Sequence, residues 1–243
     1  MKSLFSMYRL RMNALYKSAL WVIPVVSLAV FLAFMYGIIP VQISGSFLLS
    51  SMYLYIVSAF AAMSIQDREN DVTEEVLFLH ASSKIKYYIA RELVLLSIMI
   101  LFGVILLFYP VIRSLSADHF FSRPLEVTDV VRGGLLILGS GSCGIALGDL
   151  LHRRIIRQRK IRIIALIAVS LIAIVKTALT DNHPAAGILH VIVPPVIDGF
   201  VMTGDSDHFD KAKTVYIFIH MMAFYFVTMF IKWKLLSLRR FEK

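Results

Sequence analysis

The chain has 243 residues, of which 58% are hydrophobic and 17% charged, with a formal charge of +9 and a mean hydropathy of +0.77. A water-soluble domain carries about 45–50% apolar and about 25% charged residues, so an ordinary soluble enzyme or binding domain is excluded. The single cysteine, Cys143, excludes a disulfide framework and reads as a small packing residue.

The apolar excess falls in six blocks, roughly 19–39, 46–65, 93–112, 130–151, 161–179 and 214–232. Each has about the 20 residues that cross a hydrocarbon core of roughly 30 Å at 1.5 Å per residue. Backbone groups in lipid must be satisfied within their own segment, so each block is expected to be a helix. The fold class expected is therefore an all-α, polytopic membrane protein: a segment 1–18, then one six-helix transmembrane domain over 19–243. The first block is not expected to be a cleaved signal peptide, because 18 polar-rich residues precede it and hydrophobic segments continue after it.

Six spans put both termini on one side. Nineteen of the 25 Lys and Arg residues lie in the N-terminal segment, in 66–92, in 152–162 and from 232 onward. Arg113, Arg123, Arg132, Lys176, Lys211 and Lys213 are left for the other side. The positive-inside bias places both termini in the cytoplasm. The basic balance then reflects topology and contact with anionic membrane lipid, and no nucleic-acid partner is expected.

In chain order, residues 2–18 predict an amphipathic helix lying in the interface. Leu4, Phe5, Tyr8, Met12, Leu15 and Tyr16 share one face, and Lys2, Ser6, Arg9, Asn13 and Lys17 the other. The loop 66–92 returns to the cytoplasm and holds six of the sixteen acids: Asp67, Glu69, Asp71, Glu74, Glu75 and Glu92. Asp71 followed by Glu74 resembles an N-cap with an acidic first turn, opening a short helix over 72–79 whose apolar side is Val72, Val76, Leu77 and Leu79. Two turns are not stable alone in water, so this helix must dock on its own spans or on a partner. The competing reading is a solvated loop.

The fourth block carries Gly133, Gly134, Gly139, Ser140, Gly141, Ser142, Gly144 and Gly148. Small residues let helix backbones approach, so Gly133, Gly134, Gly141, Gly144 and Gly148 are expected to pack on a neighbouring helix. No Lys-Ser/Thr follows Gly139 and Gly144, no Gly-x-Ser-x-Gly motif is present, and no His pair has zinc-protease spacing. No catalytic residue, no metal site and no cofactor is assigned to this chain.

The segment 180–213 is expected to lie outside. Its apolar middle, Ile188 to Met202, is broken by Pro194-Pro195 and followed by Asp198 and Gly199, which predicts a re-entrant or interfacial element at the outer mouth. Lys176 is expected to snorkel to the headgroups, and Asp149 to pair locally with His152 or Arg153.

This layout resembles the ABC-2 type permeases, the membrane subunits of ATP-binding-cassette exporters. The resemblance covers the whole chain as architecture and is sharpest between Asp67 and Arg91. Arg68-Glu69 match the family's charged run, Glu74 its acid, Val76-Leu77 its apolar pair and Ser82-Ser83 its serine, with Tyr87 and Arg91 at the aromatic and basic positions. Asp71-Val72 stands where Gly-Thr is usual, and His80 or Ala81 where Pro is usual.

The resemblance implies a non-enzymatic permease in the plasma membrane of a bacterium. Two ABC ATPase subunits would bind ATP and Mg outside this chain, and a second permease chain, identical or related, would complete a dimer. The helix 72–79 would be the coupling helix, with Glu74, Glu75, Val76, Leu77 and Phe78 docking the ATPase after a start at Asp71. The cargo implied is a peptide, a lipid or a hydrophobic small molecule. The alternatives are a membrane-embedded protease or lipid-processing enzyme, with Ser142, His190 and His220 as its nearest polar groups, or a secondary transporter.

Overall fold

The computed structural model describes residues 2–68, 76–77, 84–116, 119–182, 189–199 and 207–238. These form α1 (Lys2–Tyr16), α2 (Val22–Met35), α3 (Ile43–Arg68), α4 (Lys84–Ser116), α5 (Val127–Leu150), α6 (Arg159–Asn182), α7 (Leu189–Ile192) and α8 (Lys211–Leu238). Among the described residues the only extended pairing is an isolated bridge between Val41 and Phe121. Among the described residues five helices, α3, α4, α5, α6 and α8, are long and apolar enough to cross a membrane; four enclose one predicted block each, and α5 covers all of its block but residue 151.

The first predicted span differs. Its 19–39 block is broken into a 3-10 turn at Ala19–Trp21 and the 14-residue α2, about 21 Å long and short of the hydrocarbon core. Pro24 explains the break. Its ring would collide with the carbonyl of residue 20 and it offers no N–H, so a helix tolerates it only in the first turn. Accordingly α2 starts at Val22, two residues before the proline.

α1 and α2 cover different lengths of α4. The Tyr8 hydroxyl meets Ser97 Oγ at 3.0 Å, and Arg11 Nη1 donates to the Tyr87 carbonyl at 3.2 Å with its guanidinium 4.6 Å above the Tyr87 ring. Further along, Trp21 stacks on Phe102 and Tyr36 lies against Tyr109 and Phe120. Among the described side chains of α1, Leu15 and Arg11 are buried, whereas Phe5 and Tyr16, on the face expected to be apolar, are exposed.

α5 is the centre of the bundle, packed against α3, α8 and α4. Its closest approach is to α3. A side chain at Gly144 would run into the Tyr55 carbonyl, and one at Gly148 into the Ala59 carbonyl, so the two backbones touch along one helix turn. Gly133 faces Phe47, Gly134 faces Leu107, and Gly141 faces Leu54 and Met99.

Polar contacts gather at the two ends of this bundle. Gln66, Arg91, Asp149 and Lys232 meet at one end, and Ser44, Arg123, Asp129 and Asp207 at the other. Between Asp129 and Asp149, α5 advances 20 residues, about 30 Å, which is the thickness of a hydrocarbon core. α3, α5 and α8 therefore run in one direction and α4 in the other. α6 is attached by Arg162 to Asp67 at 2.5 Å, by a 3.4 Å contact between the Tyr55 hydroxyl and Ser170, and by Lys176 to Asp198 at 3.0 Å. Its opposite face, with Ile164, Ile167, Leu171 and Val175, is exposed and wholly apolar.

Candidate functional site

Three helices bring ionisable groups, and a fourth a glutamine, into one buried layer. Asp149, at the last turn of α5, accepts from Arg91 Nη2 and from Gln66 Nε2 (2.7 Å) on Oδ1, and from Lys232 Nζ on Oδ2. Lys232 Nζ also donates to Glu92 Oε1 at 2.6 Å, and Gln66 Nε2 reaches the Gly148 carbonyl at 3.1 Å. Arg91 Nη1 lies 2.7 Å from His152 Nε2. Asp149 is 0% exposed, Lys232 1% and Arg91 2%.

Two cations and two carboxylates balance, so the layer is formally neutral with His152 uncharged. Arg91 only donates, so His152 Nε2 must accept from it, while the Arg154 N–H approaches His152 Nδ1 at 3.1 Å. A neutral imidazole has one acceptor nitrogen, so these two donors compete for it, and a doubly protonated ring would satisfy neither. Burial, and then the nearby Arg91 guanidinium, hold the His152 pKa well below its ordinary 6.5. Among the described residues, Glu92 Oε2 and Gln66 Oε1 receive no donor.

A buried arrangement of this kind holds helix ends in register. Desolvation offsets most of its Coulombic gain, yet removing one partner strands the others. It joins the end of α3 to the start of α4, the two helices on either side of residues 69–83, and ties both to α5 and α8. Asp67, next to Gln66, extends the layer to α6 through Arg162 and Arg159.

The expected local pairing of Asp149 is thus corrected: its partners come from α4, α8 and α3, with His152 reached through Arg91. Lys176 is corrected as well. It is 0% exposed and donates to Asp198 Oδ2 at 3.0 Å and to the Pro194 carbonyl at 3.4 Å, with Pro195 buried beside them. Lys176 stands 14 residues above Arg162, about 21 Å, so this ion pair lies inside the apolar slab. Snorkelling fails here because the broken segment 189–199 places an acid beside the ammonium.

At the far end, Arg123 grips Asp129 with two bonds of 2.8 Å and the Asp207 carbonyl with two more. Asp207 accepts from Ser44 N–H and Oγ, at 2.8 and 3.0 Å, and from Ser122. Burial raises the Asp207 pKa, but the hydrogen bonds from Ser122 and Ser44 outweigh it and leave the carboxyl below its ordinary value. These contacts close that end by joining the first turns of α3 and α5 to the segments before α5 and α8.

Asp71, Glu74, Glu75 and Phe78, and most of the helix expected over 72–79, lie outside the described residues. Val76 and Leu77 are helical, Val76 exposed and Leu77 half-buried. The side chain of His190 is also outside the described set. Ser142 Oγ donates to the Leu138 carbonyl at 2.9 Å, and Cys143 Sγ contacts the Met221 carbonyl, as packed residues do. Among the described residues no cluster of three His, Cys, Asp or Glu side chains is arranged to hold a metal ion. Comparison of the chain with protein-family models, with curated proteins and with solved structures returns no match.

Proposed function

We propose that this chain is the membrane subunit of an ATP-binding-cassette exporter, moving a peptide, a lipid or a hydrophobic small molecule outward. Two separate ATPase subunits hold the ATP and magnesium, and a second permease chain, identical or related, completes the pathway. Six membrane-crossing segments, with α1 and both termini in the cytoplasm, belong to this reading.

One observation carries it. The segment 69–83 is bracketed by the buried charge layer, with Gln66 and Asp67 on its entering side and Arg91 and Glu92 on its leaving side. A push on that segment is delivered at once to the ends of α3, α4, α5, α6 and α8. A charge-balanced joint between helix ends suits a two-state element biased by a partner's nucleotide state. Glu74, Glu75, Val76, Leu77 and Phe78 dock the ATPase in this reading, and Val76 is exposed.

Crosslinking from the loop tests it. Glu75→Cys in a Cys143→Ser background, carrying a maleimide–diazirine reagent in native membranes, should capture a subunit whose peptides include a phosphate-binding Gly-x-x-x-x-Gly-Lys-Ser/Thr loop. Adducts only to lipid or to the chain itself would count against the reading.

A second reading, a secondary transporter, is favoured by the Lys176–Asp198 pair, a buried acid within the apolar slab on a broken segment. It requires transport that runs on an ion gradient without ATP and stops in Asp198→Asn.

A further inference from the structure

Where α1 and α2 part, a cavity of about 380 Å³ opens against α3 and α4, lined by residues that include Leu15, Trp21, Tyr53, Phe60, Ile65 and Phe102. It exists because the Pro24 break stops α2 short, leaving part of the α3–α4 face uncovered. The lining is mainly apolar: the Ser27 and Tyr53 hydroxyls satisfy each other at 2.8 Å, while the buried Trp21 Nε1 has no hydrogen-bond partner among the described residues. Along α3 the cavity extends from Ile65, one residue from the charge layer at Gln66, to Tyr53. That is 12 residues, about 18 Å, close to half of a bilayer. It begins at the depth of the headgroups and ends near the midplane.

The adjoining segment is basic. Lys2, Arg9, Arg11 and Lys17 lie within residues 1–18, which contain no acid, and Lys17 follows the cavity residue Leu15 by two positions. We infer that this cavity holds an acyl chain of an anionic phospholipid from the leaflet on the charge-layer side, its headgroup balanced by the exposed Arg9 and Lys17. The length, apolar lining and depth fit one lipid chain, and the neighbouring charge selects the headgroup. The inference stands independently of the transport reading.

Trp21 is a built-in reporter, because the chain has two tryptophans and Trp233→Phe leaves it alone. The full-length Trp233→Phe protein would be reconstituted in vesicles of phosphatidylcholine containing graded amounts of brominated-chain phosphatidylglycerol or brominated-chain phosphatidylcholine. The expected result is quenching of Trp21 with about fivefold tighter binding of the anionic lipid, from roughly one basic residue near the surface. Lys17→Glu, an exposed change that spares the fold, should abolish the preference, and Ala61→Phe, which fills the cavity, should reduce quenching by either lipid. Equal quenching by both lipids, unchanged in the two variants, would mean an ordinary lipid annulus and overturn the inference. Absence of quenching would overturn it as well, leaving the cavity to an exported substrate or to another protein segment.

Discussion

Asp149 is the residue on which the charge layer turns, because both cations and Gln66 converge on its two oxygens. Removing Lys232 leaves Asp149 and Glu92 facing each other in a buried site. Breaking one partner of such a pair costs about 3–5 kcal/mol. Lys232→Met should therefore lower the thermal unfolding temperature in detergent sharply, and adding Glu92→Gln should recover part of the loss. An unchanged transition in Lys232→Met would show that the layer contributes no stability. His152 gives the layer a pH dependence. Its folded pKa lies below 6.5, so between that value and about 6.5 the unfolded chain binds the extra proton. Stability should fall as pH drops below about 6.5 and level off above it, and His152→Gln should remove that slope in urea titrations run at several pH values. Each of these charges is visible in the sequence at the edge of an apolar block. That they meet is not visible, because pairing between helices depends on rotation about each axis, and one residue turns a side chain by about 100°.

At the scale of the element, the stripe of small residues in α5 was readable from composition, but which glycines face backbone and which face side chains was not. Gly144 meets the Tyr55 carbonyl, a rigid partner, whereas a methyl at Gly134 would sit 3.5 Å from the Leu107 methyls, an ordinary contact. Gly144→Ala should cost about 1–3 kcal/mol through overpacking, and Gly134→Ala should lie within about 0.5 kcal/mol of the parent. Equal effects in the same unfolding assay would mean that α3 and α5 do not approach as closely as described. The break inside the 19–39 block, between the turn at Ala19–Trp21 and α2, was missed for a physical reason. Hydropathy sums apolar character over 19–39 and carries no term for the carbonyl that the Pro24 ring would strike. The long helices were legible because length and apolarity are the properties that a bilayer selects.

Across the whole molecule, two polar layers about 30 Å apart enclose an apolar slab, and α5 threads both of them. The layer of Asp149 joins the end of α3 to the start of α4, the helices that flank residues 69–83 in sequence. The other joins the first turn of α3 to the segments before α5 and α8 through Asp207 and Arg123. Within the slab, the pair of Lys176 and Asp198 fastens α6 to the broken segment. A force applied at the first layer would reach the second through rigid helices, and in the proposed function a separate ATPase applies it. The most direct test is purification of the tagged full-length chain in mild detergent from its own cells, alongside Glu74→Lys/Glu75→Lys. A nucleotide-hydrolysing subunit should co-elute with the parent and be lost from the double variant. Elution of the parent without such a subunit, or its undiminished retention by the variant, would contradict that claim.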